Sequence, residues 1–471
     1  MTDDGQRMHD QQRFQRIFIR GVLTCLFLAL VVRLLGFLIV FNYTVLQMDF
    51  SAFYIAGKSV SLGLSPYVNY VETDPALWDG VTGFTHSRFL YPPLAARPFQ
   101  LLAWMPYHTA KFLWILSSLI ALGAAMIVAF RLSGLRESMG NLLAIGSLVA
   151  VGYPTLTLLE RGQVDGFVLL LVLGALLAMR KGTRASLIAG GLLALATLIK
   201  LNCIFLLPFL LLRRRWHAVL GFAAGGLLLL GLSFAIDGPD AISDYAFTHL
   251  PRIAEYGEGG PVEMSLPRES FDDALRGMGA GFSQMDGKPY RRQMFRFVLN
   301  ASLAQTGAGE LIRSAASRMG ISLGPSGTAL VFFSIFLVLL YIWQRRYGTL
   351  GGDDNPCHEL AYWQLAMAII LFCGPVTWAM TTVWLLPLGV FLLMQSKDLR
   401  GKAETFSLLV CAIGFAVILA PDAYANFMLS PFPREWMDQK YIVGEVFVIV
   451  GLLWFWRQNS MRPAIGPDLH Q

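Results

Sequence analysis

Residues 18–41 read FIRGVLTCLFLALVVRLLGFLIVF, and shortly beyond them comes Met48-Asp49-Phe50-Ser51-Ala52-Phe53-Tyr54-Ile55-Ala56-Gly57. The first stretch holds one interior cation, Arg33, and is long enough to cross a hydrocarbon core of about 30 Å as a helix. Comparable apolar runs follow at 109–130, 140–159, 164–179, 185–199, 201–212, 218–236, 327–344, 360–376, 379–395, 404–420 and 441–456. With 55% hydrophobic and 14% charged residues, the chain carries far more apolar surface than one soluble core needs. The expected fold is all-α: a polytopic membrane protein of about twelve transmembrane helices, with amphipathic helices in its large outer loops. The whole chain, 1–471, reads as one transmembrane domain.

Basic residues fall in every second connection. Arg13 and Arg16 precede the first run and Arg20 stands at its start, and later clusters stand at Arg131/Arg136, Arg180/Lys181/Arg184, Arg213/Arg214/Arg215, Arg345/Arg346, Lys397/Arg400/Lys402 and Arg457/Arg462. Short Lys/Arg-rich loops stay in the cytoplasm, so the pattern predicts a multi-pass cell-membrane protein with both termini inside. Segments 42–108 and 237–326 then face the periplasm or exterior, where they are expected to cap a site. The net charge of +6 divides into 19 Lys/Arg against 10 Asp/Glu inside and 17 against 21 outside, with Arg33 within the first run. Positive charge therefore lines a membrane face, and nucleic acid is excluded as a partner. The five cysteines show neither a disulfide framework nor metal-ligand spacing, and the first run reads as a retained span rather than a cleaved leader.

Asp49 stands at the mouth of the first span among aromatics, where desolvating a carboxylate is costly and implies use. It has two compatible readings, the N-cap of a helix beginning at Phe50 and a catalytic base. The helix itself, ended by Gly63 and Pro66, is expected to lie on the membrane surface, and the proline-flanked run 98–105 to be interfacial or re-entrant. In the larger outer segment, stretches 241–256, 268–278 and 290–318 are amphipathic.

Asp49 with Tyr54-Ile55-Ala56-Gly57, Ser65-Pro66-Tyr67, Tyr91-Pro92-Pro93, Gly162-Gln163-Val164-Asp165, Lys200-Leu201-Asn202 before Leu210-Leu211-Leu212-Arg213-Arg214-Arg215-Trp216, and Gly374-Pro375-Val376-Thr377-Trp378 follow one another in a family order. Over residues 45–395 the chain resembles glycosyltransferase family 87, the polyprenol-phosphate-mannose-dependent alpha-1,2-mannosyltransferases of the membrane-embedded C-type superfold. The resemblance implies inverting transfer of a sugar, mannose or another hexose or pentose, from a polyprenyl-phosphate donor to a lipid-linked or glycan acceptor. It implies Asp49 as the base. Substrate contacts are expected from Tyr54, Tyr91, Arg161, Gln163, Lys200, Arg252, Arg268, Ser270 and Trp378. No cofactor is expected, and the metal requirement is open, Asp74 and Asp79 being distant from Asp49 in sequence.

The chain departs from the family twice. Ala379-Met380 stand where an acidic residue and a histidine are usual, and Arg268-Glu269-Ser270 where Asn-Gln-Ser is usual. An apolar wall at 379–380 implies a different sugar or a more apolar acceptor. Two other classes fit a long-looped polytopic chain. A polysaccharide polymerase or ligase would show an arginine-rich outer loop with histidine, matched here in part by His249. A transporter would show internal repeats, and residues 1–236 and 237–471 share none.

Overall fold

A computed structural model describes residues 3–43, 48–68, 89–135, 138–251, 316, 318–321, 325–348, 356–374, 378–396, 402–420 and 440–460. Their regular structure is helical, with no strand among them. In order come α1 (Asp3–Tyr43), α2 (Met48–Ser61), a 3₁₀ turn Pro93–Phe99, α3 (Gln100–Ala103), α4 (Tyr107–Ser133), α5 (Met139–Val151), α6 (Tyr153–Arg161), α7 (Asp165–Met179) and α8 (Thr183–Ile199). A 3₁₀ turn at Leu201–Leu206 leads to α9 (Leu207–Leu212) and α10 (Trp216–Asp244). The remainder is α11 (Pro325–Tyr347), α12 (Pro356–Cys373), a 3₁₀ turn Ala379–Leu385, α13 (Pro387–Gln395), α14 (Lys402–Leu419) and α15 (Lys440–Ser460).

Every predicted apolar run is helical where described, but not every one is a full span. Among the described residues, four helices are long and apolar enough to cross a membrane, Tyr107–Ser133, Trp216–His249, Gly327–Tyr347 and Lys440–Ser460. Their outward faces are apolar, as at Leu227 and Leu228 of α10 and Val338 and Leu339 of α11. The run 140–159, read as one span, is instead two helices bent by 57°. Gly152 closes α5 and Pro154 sits in the first turn of α6, where a missing N–H costs nothing. At 1.5 Å per residue, α7 reaches only about 22 Å and α9 about 9 Å, short of a bilayer core. Such pieces gain their stability by packing on neighbours. The count of about twelve membrane helices therefore finds support for four, or five if the bent pair is one span.

The protein's interior is built around α12, whose residues are buried on nearly all sides, including Tyr362, Trp363, Gln364 and Met367. A helix apolar all round belongs in a core. It packs on α4, α13, α15 and the Ala379–Leu385 turn, while α7 bridges α4 to α8, and α8 lies along α10.

The surface placement expected for α2 is corrected. Phe50, Phe53, Tyr54, Ile55 and Ala56 are buried together with Ser51 and Ser59, so no face remains for a membrane surface. α2 is held by α3 and the Pro93–Phe99 turn on one side and by α4 and α6 on others. Gly57 is what lets the turn approach: a Cβ there would lie 2.5 Å from the carbonyl of Phe99. The segment 98–105 itself shows Leu101 and Trp104 on its exterior. Much of the two expected capping segments, including Arg252, Arg268, Ser270 and the 268–278 stretch, lies outside the described residues.

Candidate active site

Asp49 occupies the first turn of α2, where the helix dipole favours a carboxylate. It is buried, and its Oδ2 accepts a hydrogen bond of 2.7 Å from Gln163 Nε2. Arg161 Nε stands 3.9 Å from the same oxygen. Gln163 is oriented from behind, because its Oε1 accepts from Tyr91 Oη at 3.1 Å and so turns its amide N–H toward Asp49. Tyr91 is in turn positioned by Pro92 and Pro93, which fix the backbone entering the 3₁₀ turn, and by Tyr67, whose Oη donates to the Tyr91 carbonyl at 2.8 Å. Burial, with Asp165 and Asp49 nearby, pushes the Tyr91 phenol well above its ordinary value and keeps it a donor.

Arg161 ends α6, and Gly162 turns the chain with φ 70° and ψ 38°. That left-handed conformation favours glycine. Space demands it as well, since a Cβ would lie 2.7 Å from Cβ of Phe50. Trp114 Nε1 donates to the Gly162 carbonyl at 2.7 Å and fixes the turn to α4. Gly162→Ala is therefore expected to cost more than the ~1–2 kcal/mol of the left-handed backbone alone. It would displace Gln163 and lower both the thermal midpoint of the detergent-solubilised protein and any activity that depends on Asp49; an unchanged midpoint contradicts this geometry.

Arg161 is only 2% exposed. Its Nε and Nη1 find no hydrogen-bond partner among the described residues. A buried guanidinium with open donors is expensive unless something fills them. Lys200 is placed differently. Its Nζ contacts both oxygens of the fully buried Asp165 at 2.7 Å and Thr381 Oγ1 at 3.0 Å. The anion that Lys200 meets is thus Asp165, at the start of α7.

Tyr54, expected to contact substrate, donates its hydroxyl to the Met105 carbonyl at 2.7 Å and packs on Tyr107, tying α2 to the end of the 98–105 segment and the start of α4. Trp378 lies half-buried at the head of the Ala379–Leu385 turn. Ala379 and Met380, expected as an apolar wall of the site, are buried in the core at 0% and 2% exposure. Through Thr381, the same turn reaches Lys200. The structure thus brings Asp49, Tyr91, Arg161 and Gln163 into one network, with Asp165, Lys200 and Thr381 as an adjoining cluster. Trp114 and Thr381 escaped the sequence reading, since nothing local marks a tryptophan or threonine whose partner is tens of residues away.

A family model described as glycosyltransferase family 87 matches residues 89–283. The chain is 27% identical over 305 residues to a polyprenol-phosphate-mannose-dependent alpha-(1-2)-phosphatidylinositol pentamannoside mannosyltransferase of Mycolicibacterium smegmatis, covering 65% of this chain and 61% of that protein. It is 29% identical over 202 residues to a protein of the same name from Mycobacterium tuberculosis, covering 42% and 44% respectively. The chain therefore spans less than two thirds of the length of the curated relatives it matches. Over residues 89–283 the chain is therefore similar to glycosyltransferase family 87.

Proposed function

We propose that the protein is an inverting membrane glycosyltransferase that moves a sugar from a polyprenyl-phosphate donor to a hydroxyl of a lipid-linked or glycan acceptor. The observation that carries this reading is a buried carboxylate held by Gln163 and placed beside a buried guanidinium with open donors. Asp49 takes the proton of the acceptor hydroxyl as its oxygen bonds to the anomeric carbon. The bond from that carbon to the phosphate oxygen breaks, and polyprenyl phosphate leaves as an anion that Arg161 stabilises. Because the phosphate is a good leaving group, no second carboxylic acid is required. Mannose is the first sugar to test, since the named relatives use polyprenol-phosphate mannose.

The assay incubates purified protein with radiolabelled polyprenyl-phosphate sugars and host lipid extract. A labelled glycolipid with matching release of polyprenyl phosphate is expected. Label that merely crosses a vesicle membrane with its donor intact contradicts the reading.

The distribution of Lys and Arg supports a reaction on the outer face. Leu64→Cys, on an exposed turn after α2, is expected to react with an impermeant thiol reagent in whole cells above the parent chain's background, whereas Arg214→Cys is not. Labelling of the second alone would reverse the orientation.

A further inference from the structure

On the face that the Lys and Arg pattern assigns to the cytoplasm, α11 meets α12 and α15 around a groove. α11 rests on the core through Ala329, Phe333 and Leu340, which recur along one side of the helix. Toward its last turns that side is not filled. A cavity of about 320 Å³ remains, lined by Phe336, Leu340, Trp343 and Arg346 of α11, Ile369 of α12 and Leu453 of α15. It opens outward, since Leu339 and Ile342 on its rim are each 55% exposed. Phe336, edge-on to Phe372 with centroids 5.6 Å apart, stands at its deep end, and Trp343 and Tyr347, 4.7 Å apart, at its mouth. From Phe336 to Arg346 the helix rises about 15 Å, half of a hydrocarbon core of about 30 Å. The groove is therefore one leaflet long.

Its mouth is basic. Arg345 and Arg346 end α11, and Gln344 Nε2 donates to the Leu212 carbonyl at 3.2 Å, which brings Arg213 and its two neighbours to the same end. Arg215 is matched by Glu359 at 3.3 Å. Arg345 and Arg346 instead lie over the rings of Tyr341 at 6.0 Å and Tyr347 at 5.5 Å, with no carboxylate partner among the described residues. An apolar slot with an unmatched cation at its polar end fits a ligand of the reverse pattern, a hydrocarbon chain carrying an anion. Sugars and nucleotides are poorly served, because their polar groups would go unpaired on the apolar floor. The polyprenyl donor does not fit either. Its phosphate is assigned to Arg161 at the opposite face, so the uncharged end of its tail would meet Arg346. Arginine takes a phosphate through a planar fork, and basic pockets between membrane helices on the cytoplasmic side suit anionic headgroups. Trp343 and Tyr347 fall at the level where aromatic residues gather between headgroups and hydrocarbon.

We propose that this groove binds one anionic phospholipid of the cytoplasmic leaflet, with an acyl chain along Phe336, Leu340, Ile369 and Leu453 and its phosphate on Arg346. The site stands apart from the glycosyltransferase reading and holds whether or not transfer is found. The test is native mass spectrometry of the full-length purified protein, titrated with phosphatidylglycerol or with phosphatidylcholine of the same acyl chains. Wild type is expected to hold phosphatidylglycerol about fivefold more tightly, the ~1 kcal/mol that one basic residue contributes beside an anionic lipid surface. Arg346→Gln is expected to bring that preference below about twofold. Leu453→Trp fills the groove and keeps both arginines, so it is expected to weaken both lipids; its thermal midpoint without lipid shows that it folds, and Arg346→Gln decides the matter if it does not. Arg457→Gln removes an exposed cation that ends α15 outside the groove and is expected to leave the preference intact. Equal binding of the two lipids by wild type, or a preference kept in Arg346→Gln, would overturn the site. So would equal losses in Arg346→Gln and Arg457→Gln, which mark diffuse surface charge. Displacement of the bound lipid by polyprenyl phosphate, or a two-copy assembly that takes up no lipid, would give the groove to the donor or to a second subunit and overturn it as well.

Discussion

Asp49→Asn is expected to lower turnover by about 10²–10⁴, the usual worth of a positioned general base, while donor affinity and the thermal midpoint stay close to wild type. The amide keeps the size of the carboxylate and still accepts from Gln163 Nε2, so α2 retains its anchor. It cannot take a proton from the acceptor hydroxyl. A helix-capping role alone predicts the opposite pattern, a loss of stability of about 0.5–2 kcal/mol with turnover preserved in whatever protein folds. Measuring kcat and melting on the same preparation separates the two.

Arg161→Gln is the second large effect. A donor aimed at charge that develops in the transition state contributes about 10²–10³ in kcat, and here the guanidinium is buried at 2% exposure with Nε and Nη1 open. Loss is therefore expected in kcat more than in acceptor KM, with partial rescue by Arg161→Lys, which restores a cation without the planar fork. Lys200 provides the contrast. Its charge is already matched by Asp165 at 2.7 Å, so Lys200→Met is expected to act through stability, by leaving a buried carboxylate unpaired. Equal kinetic losses with equal melting for Arg161→Gln and Lys200→Met would erase the distinction between a cation open to substrate and one bound internally.

The sequence exposed the site unevenly. Asp49 was legible because a carboxylate among aromatics at a span's end has no cheap explanation, and Gly162-Gln163 because it belongs to a family-ordered set. Packing decides the rest. Asp165 and Lys200 are 35 residues apart, and nothing in their neighbourhoods says that each consumes the other's charge. α2 looked like a surface helix because aromatic and small residues alternate on it with serines and a lysine, yet small residues let its polar side be covered too, as at Ser51 and Ser59. The span at 140–159 broke for a local reason visible afterwards, a glycine two residues before a proline, which a hydropathy reading averages away. The run 201–212 is apolar but too short for a span, with Cys203, Leu206, Phe209 and Leu210 buried against neighbours while Ile204 and Leu211 stay exposed.

The most direct test of the account is the configuration at the anomeric carbon, read by NMR in the glycolipid that the wild-type protein makes from a donor of defined anomer. A base that activates the acceptor for one displacement gives inversion, which is the expected result. Retention would require two displacements, would make a side chain such as Asp49 a nucleophile rather than a base, and would contradict the mechanism proposed for this site.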